Sequence, residues 1–496
     1  MKVLLVYPMY PNTFWSFKYA LKFISKEATH PPLGLLTVAA MLPTKWERKL
    51  VDMNVTALKK KDLQEADFVF ISAMSIQKDS AKEVISRCKK MGVKTVAGGP
   101  LFTAHYEDFE EVDYLILNEA EITLPPFLED LKKGCAKHIY ASKEFTDMQN
   151  TPIPLWELVN MKKYSAMNIQ YSRGCPFNCE FCDISALYGD KVRTKNKNQI
   201  LAELENLYLH GWKDRVFFVD DNFIGNRLKL KREVLPAIIE WMEKKKHPFL
   251  FNTETSIDLS DDEELMQLMV KAEFDTVFVG IETLNEESLA ECNKFHNKNR
   301  DLVACVRKIQ KFGLQVQGGF IVGFDNDSPP IFEKLIAFIQ ESGIVTAMVG
   351  LLNAPHGTRL HQRLKKEGRL LKNFAGDNTD LSINFIPKMT HETLIKGYQK
   401  IVSRIYSPKH YHERVKKFLK EYNPLQKRVF HFNFSCLKAF FKSILILGIK
   451  EKGRSYYWKL FFWSLFKQPK LFPLAITFSI YGFHFRKVFE NYLRNV

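Results

Sequence analysis

The segment Arg173-Gly174-Cys175-Pro176-Phe177-Asn178-Cys179-Glu180-Phe181-Cys182 crowds three cysteines into eight residues, spaced C-x3-C-x2-C. It directly follows a candidate strand, Asn168–Ser172. Three thiolates on one tight loop can hold three irons of a cubane iron–sulfur cluster and leave the fourth iron open to an outside ligand. Zinc is the poorer match, since a structural zinc takes four protein ligands, often as paired C-x2-C, and the closest histidine is His210. Eight cysteines in 496 residues make no disulfide framework. The trio therefore points to a metal or redox centre in a reducing compartment.

The loop sits in a repeating chain. Between Ala166 and Leu360 the candidate strands are Asn168–Ser172, Val216–Val219, Phe249–Asn252, Val277–Ile281, Gln315–Val322 and Ala347–Leu352, with helices such as Lys197–His210 and Glu263–Ala272 between them. One strand per roughly 32 residues is the size of a strand–helix unit, and a full eightfold barrel takes about 250 residues, so residues 166–360 read as a six-unit partial barrel.

Residues 1–133 alternate in the same way. Val3–Tyr7, Phe68–Ser72, Lys94–Ala97 and Tyr114–Leu117 are short apolar runs, and Lys78–Met91 has helical spacing. This pattern predicts a second parallel sheet, with ligands at the carboxyl ends of its strands. The loops at those ends are Pro8–Phe17, Ser72–Gln77, Gly98–Phe102 and Asn118–Thr123. Residues 134–165, with Thr151-Pro152-Ile153-Pro154, read as a linker. Residues 361–496 read as mainly helical, through His391–Tyr406, Lys409–Tyr422 and a basic aromatic tail. The fold class is α/β with a helical C-terminal domain.

The net charge of +16 belongs to that tail. Residues 401–496 hold 19 Lys and Arg against 4 Asp and Glu, and the first 400 residues hold 53 against 52. From Phe430 onward there are 19 Phe, Tyr and Trp in 67 residues. Phe-rich and Leu/Ile-rich basic segments fit a membrane surface better than nucleic acid. The other reading is a helical domain packed on the barrel with a basic exterior. The longest uncharged apolar run there, Leu471–Phe485, has 15 residues and contains Pro473 and His484. That is short of the roughly 20 needed to span a bilayer. The N-terminal run Val3–Tyr7 reads as a strand and not a signal peptide, so the expected location is cytoplasmic, with peripheral contact at the inner face of the membrane left open.

The cysteine loop after the first strand of a partial barrel resembles the radical S-adenosylmethionine (SAM) superfamily. The resemblance implies that Cys175, Cys179 and Cys182 ligate a [4Fe-4S] cluster whose open iron chelates SAM. Electron transfer then releases a 5′-deoxyadenosyl radical that abstracts hydrogen from an unactivated C–H. It implies further SAM contacts at Asp220, Asp221 and Asn222, with a plain surface turn as the other reading. Glu254 and Ser256 past the third strand, Glu282 after the fourth, and the glycines Gly318, Gly319 and Gly323 complete the implied set. The glycines would allow close backbone approach to adenine. Tyr10, Trp15 and Tyr188 lie near the expected site loops, as packing or substrate contacts, and the roles of His356 and Arg359 stay open. No catalytic acid or base is assigned.

The N-terminal sheet resembles the cobalamin-binding domain fused to many radical SAM enzymes, through His30-Pro31-Pro32-Leu33-Gly34-Leu35, Ser72-Ala73-Met74-Ser75, Gly98-Gly99-Pro100 and Asn118-Glu119-Ala120-Glu121. A nucleotide-type sheet without cofactor is the other reading, and solvated turn carboxylates are the other reading of Glu119 and Glu121. The first loop has no D-x-H-x-x-G, so no histidine from that motif ligates cobalt. Further segments, among them Phe14–Phe23, Cys182-Asp183-Ile184-Ser185 and Tyr457-Trp458-Lys459-Leu460, are similar to the hopanoid 2-methylase branch. That similarity implies a cobalamin-dependent methyltransferase acting on a small-molecule or lipid substrate, such as a hopanoid. A reductase or a flavodoxin or ferredoxin would be the electron donor. The alternatives are a cobalamin radical SAM enzyme that forms C–C bonds or rings, and a non-enzymatic cobalamin sensor.

Overall fold

The computed structural model describes residues 1–371, 376–377, 379–424 and 434–494. Part of the predicted aromatic tail, Phe430 and Phe432 included, lies outside the described residues. The first sheet contains β1 (Lys2–Tyr7), β2 (Glu47–Asp52), β3 (Phe68–Ser72), β4 (Lys94–Gly98), β5 (Tyr114–Ile116) and β6 (Ile139–Tyr140). Its order is β2-β1-β3-β4-β5-β6, every pair parallel. Successive side chains feed opposite faces. Leu4, Val6, Val69 and Ile71 pack into one core layer, and Val3, Leu5, Phe70 and Val96 into the other. A sheet covered on both sides needs such continuous apolar runs.

Two features depart from the sequence reading. β2, which begins Glu47-Arg48-Lys49, is not among the expected strands; as an edge strand it pairs on one side only and buries just Val51 and Asp52. Residues 134–165 are more than a linker, because Ile139–Tyr140 supplies the sixth strand of the sheet. Two residues are too few to show a period in sequence.

β7 (Met167–Ile169) opens the second sheet, and a short antiparallel ladder, β8 (Ser172–Arg173) with β9 (Arg193–Thr194), follows it. β10 (Arg215–Phe218), β11 (Leu250–Thr255), β12 (Phe274–Glu282), β13 (Gln315–Val322) and β14 (Ala347–Leu351) complete a six-stranded parallel sheet of order β14-β13-β12-β11-β10-β7. The outer strands do not pair with each other, so the barrel is open on one side.

That open side is filled by both ends of the chain. Phe14 stacks on Phe485 of the helix Phe472–Arg494 at 4.2 Å, and Trp15 reaches the barrel interior against Phe278 at 5.4 Å. The free edge of β14 is satisfied by one side chain. The Ala347 N–H donates to the Tyr406 hydroxyl at 3.2 Å, and that hydroxyl donates to the Ala347 carbonyl at 2.7 Å. Pairing an exposed edge in this way removes a template for aggregation. Arg414, fully buried, donates to the Ile405 carbonyl at 2.8 Å and the Val345 carbonyl at 3.3 Å, fixing the helix Pro408–Glu421 to the barrel.

Candidate active site

The cysteine loop is built by its backbone. Gly174 has φ +86°, and a Cβ there would stand 2.7 Å from the Lys191 carbonyl oxygen, so only glycine fits where β8 turns into the loop. Asp220 accepts from the Tyr171 N–H at 3.2 Å, from the Ser172 hydroxyl at 2.6 Å and from the Ser172 N–H. Asp221 accepts from the Gly174 N–H at 3.0 Å. The far side of the loop is held by Arg363, which donates to both Glu180 oxygens at 2.8 and 3.0 Å. Phe177 stacks on His296 at 3.7 Å.

Burial pushes all three thiols, Cys175, Cys179 and Cys182, above the ordinary thiol range; neighbouring cysteines add to the rise at Cys175 and Cys182, and the Glu282 carboxylate adds to it at Cys179. A trio that is costly to ionise alone fits a bound cationic iron centre, which would supply the missing positive charge. Among the described residues no three His, Cys, Asp or Glu side chains converge on a point that would hold a single metal ion. A cubane cluster places each thiolate on its own iron, so the three sulfurs need not meet at one point.

A cavity of about 1730 Å³ joins the two sheets. At one end it is walled by Ser72, Ala73, Met74, Gly98, Gly99 and Pro100, at the carboxyl ends of β3 and β4. It reaches the cysteine loop at Arg173 and Tyr188, passes Asp221, Glu254 and Phe278 inside the barrel, and extends to Leu437, Phe440, Phe472 and Ile476 of the C-terminal helices. Ser75, expected with its neighbours, is not on this wall; it lies against Gly376, where an added Cβ would come within 3.0 Å of the Ser75 Cβ. Gly99 has φ +91°, and a Cβ there would lie 2.6 Å from the Ser72 hydroxyl, so the loops after β3 and β4 touch through backbone.

The residues expected around SAM divide into groups. Asp221 and Glu254 face the large cavity. Burial lifts Asp221 to about 6, and burial with the nearby Asp221 and Asp220 lifts Glu254 to about 8. Glu254 accepts no hydrogen bond among the described residues, so its carboxyl is available to a cationic ligand. Asp220 is buried beneath the loop and committed to its backbone, and burial raises it to about 7. Asn222 and Ser256 face a smaller cleft beside Pro176 and Phe177. Ser256 donates to Asp258 at 2.5 Å and accepts from Asn222 at 3.3 Å, while the buried Asn222 Oδ1 has no partner. An orphaned buried acceptor of this kind fits a ligand donor.

The surroundings of several expected residues differ from a plain cofactor wall. Glu119 and Glu121 are not solvated turn carboxylates. Arg173 pairs with Glu121 at 2.8 Å and Glu119 at 3.3 Å, and Arg193 pairs with Glu119 at 2.9 Å, with the Glu119 and Glu121 side chains only 2% and 5% exposed. They bind the first sheet to the strands flanking the cysteine loop. Gly318 does not face the barrel interior. It shares the outward face of β13 with Val316 and Phe320, and a Cβ there would meet Phe320 at 2.8 Å and Ile344 at 3.2 Å. Gly319, on the inner face, is covered by the Phe278 ring, which an added Cβ would approach to 2.7 Å. Glu282 is half committed, because its Oε1 accepts from Lys294 at 2.7 Å. Gly323 has φ +105° and donates its N–H to Asp327 at 3.0 Å, a turn requirement.

Sequence reasoning did not identify Arg173, Arg193 and Arg363 as loop-holding residues, because each pairs across the fold with residues far away in sequence. Of the aromatics, Trp15 donates its indole N–H to the Met348 sulfur at 2.9 Å, beside the cavity, and Tyr188 lies on the cavity wall. His356 stands 5.6 Å from His105 and 5.1 Å from His361, ring to ring, off that wall. Arg359 donates to the Asn178 carbonyl in the cysteine loop.

A partial barrel with this loop, joined to a parallel sheet across one cavity, defines a radical SAM enzyme with a second cofactor domain. Family models agree in position: the radical SAM superfamily matches residues 169–339, a B12 binding domain residues 23–128, and the domain of unknown function DUF4070 residues 358–496. An uncharacterised methyltransferase of Synechocystis sp. is 42% identical over 490 residues, covering 98% of this chain and 91% of that protein. The hopanoid C-2 methylase of Rhodopseudomonas palustris is 34% identical over 412 residues, covering 82% and 77%. Among solved structures, the cobalamin-dependent SAM radical enzyme OxsB, with aqua-cobalamin and SAM bound, has the same fold, with a TM-score of 0.63 and 16% identity over 100% of this chain and 80% of that one. The chain belongs to the cobalamin-dependent radical SAM methyltransferases, in the branch that holds the hopanoid C-2 methylase. Its cofactors are a [4Fe-4S] cluster, SAM and cobalamin.

Proposed function

We propose that this enzyme methylates an unactivated carbon of a lipid, with a polycyclic hopanoid as the leading substrate. The observation that carries the reading is the continuity of the cavity, which runs from the cofactor loops to the apolar side chains Leu437, Phe440, Phe472 and Ile476. A rigid hydrocarbon could rest its body there and present one carbon at the polar end. The 34% identity to a hopanoid C-2 methylase supports the same class.

In this reading Cys175, Cys179 and Cys182 hold the cluster. Asp221 and Glu254 receive the ammonium end of SAM, with Asn222 and Ser256 beside the loop, while Glu282 and Gly319 stand near the adenosyl end. Ser72, Ala73, Met74, Gly98, Gly99 and Pro100 surround cobalamin. Cluster, SAM and cobalamin together supply the carbon radical and the methyl group, and the protein's tasks are to position the substrate and exclude water. The electron donor is a reductase, flavodoxin or ferredoxin, and the enzyme works in the cytoplasm.

The test is anaerobic reconstitution followed by turnover with methyl-labelled SAM and lipid from a hopanoid-making host. A labelled lipid heavier by one CH2 is the expected product. A product lighter by two hydrogens would establish ring formation instead, and no label in any lipid would end the proposal.

A further inference from the structure

We infer that the helices between residues 434 and 467 form a docking face for an anionic membrane surface, beside the apolar end of the cavity. The helix Phe434–Ser443 continues without a break into a π-helical turn, Ile444–Lys450. Leu437, Phe441, Leu445 and Ile449 recur every four residues along it, 38%, 60%, 49% and 57% exposed. The next helix, Arg454–Lys467, leaves Phe462 and Phe466 50% and 74% exposed.

The two rows form one surface. Phe440 of the first helix packs on Phe461 of the second at 6.0 Å, and the Trp458 indole donates to the Gly448 carbonyl at 2.9 Å. Trp458, Phe462 and Phe466 continue as stacked rings. The opposite sides of these helices are already packed, through Ala439, Leu447, Tyr457 and Leu460. A helix buried on one face and apolar on the other needs a non-aqueous cover for the second face.

Charge selects the cover. Lys438, Lys450, Lys467 and Lys470 are exposed and form no ion pair among the described residues. The only acid between residues 434 and 471 is Glu451, which pairs with Lys487 at 3.4 Å. A second copy of the chain docked by the same patch would set these lysines against their own equivalents. Anionic headgroups neutralise them while the rings enter the interface, and the lysine stems can lie along the apolar surface with their ammonium groups in the headgroup layer. No helix among the described residues is long and apolar enough to cross a membrane, so the geometry is that of lying on the surface. Leu437 borders both this patch and the cavity, which places lipid access at the membrane.

The second half of this inference rests on the lipid-substrate reading; the docking half does not. The full-length, cofactor-loaded protein is sedimented with vesicles of phosphatidylglycerol and phosphatidylcholine, and with phosphatidylcholine alone. Binding to the anionic vesicles that weakens with salt is expected. Phe441→Ser, Phe462→Ser and Phe466→Ser together should lower it about tenfold or more. Lys438→Gln, Lys450→Gln, Lys467→Gln and Lys470→Gln together should weaken it and flatten its salt dependence. Circular dichroism and cofactor content should match wild type in both variants, since these side chains are at the surface. Wild type that ignores anionic vesicles, equal binding by all three proteins, or a wild-type dimer that the Phe variant dissolves would each overturn docking. Methylation of detergent-dispersed lipid is the separate readout. Its absence beside intact vesicle binding would refute the lipid reading alone, and its retention by the Phe variant, with loss on vesicle-embedded lipid, would support both.

Discussion

The cysteine-loop face and the C-terminal helices handle charge in opposite ways. Around the loop, charged groups are buried and closed on one another: Arg173 with Glu119 and Glu121, Arg193 with Glu119, and Arg363 with Glu180. Along the tail, Lys438, Lys450, Lys467 and Lys470 stand in solvent without acidic partners among the described residues. Buried pairs fix directions, because a displaced partner leaves an uncompensated charge. Exposed like charges fix only a sign and an approximate surface. The first arrangement suits reactants that must be positioned closely, and the second suits a partner that is a fluid layer.

The comparison breaks most sharply at the cysteines. Replacing Cys175, Cys179 or Cys182 with Ala should abolish methyl transfer and the iron and sulfide content of the reconstituted protein, while vesicle binding stays as in wild type. Loss of vesicle binding in these variants would show that the two faces are not separable.

Arg173→Ala tests whether the buried pairs join the two sheets. It strands Glu121 and leaves Glu119 to Arg193 alone, and removal of one member of a buried ion pair typically costs about 3–5 kcal/mol. Thermal unfolding should record the loss. The effect has a pH signature. Burial alone would raise Glu121, but the Arg173 charge together with the hydrogen bonds the carboxylate accepts, from Arg173 and Thr151 among others, outweighs it and holds the carboxyl below its ordinary 4.5. A group with a lowered folded pKa contributes fully above its unfolded value and loses that contribution as pH falls through the folded one. In the variant burial acts without the guanidinium and lifts Glu121, so the gap between wild type and variant should be widest near pH 8 and narrow as pH falls, to its smallest below about 4.5. A gap independent of pH down to acid unfolding would remove the ion pair as its cause.

These contrasts were unevenly visible in the sequence. The apolar runs of β3 and β14 were read almost residue for residue, because strands buried on both faces leave no polar interruption. β2 was hidden by Glu47, Arg48 and Lys49, acceptable only because an edge strand is half exposed. The cysteine loop was legible from spacing alone. Its supports were not: Glu119 and Arg193 lie 74 residues apart and meet only once two sheets dock. The opposite directions of Gly318 and Gly319 follow from strand alternation, since Val316 and Phe320 share the Gly318 face while Gln315 and Gln317 line the cavity. The tail's aromatic content was plain, but which rings stay exposed depends on how its helices pair.

Asp220→Asn probes the loop more gently. Asp220 accepts three hydrogen bonds from Tyr171 and Ser172, and an amide keeps one acceptor oxygen while turning a donor toward donors. Cluster content should fall in part, with the secondary structure unchanged by circular dichroism. Full cluster loading at wild-type stability would show that the loop does not depend on this brace.

The smallest effect is expected where the two faces meet. Trp15 comes from the N-terminal segment, closes the open side of the barrel, and touches Phe278 and the Met348 sulfur. Trp15→Phe keeps an aromatic ring but removes the indole donor, a contact to a weak sulfur acceptor. A net cost of about 0.5–1.5 kcal/mol is the ceiling for such a bond. Stability should therefore hardly change. The cavity wall should still loosen at a point that a substrate reaching from the tail to the cofactors must pass. The expected result is a raised KM for lipid with kcat nearly unchanged, and an unaltered rate of substrate-independent SAM cleavage. Equal loss in lipid turnover and SAM cleavage would place Trp15 with the cofactor machinery instead of the substrate path.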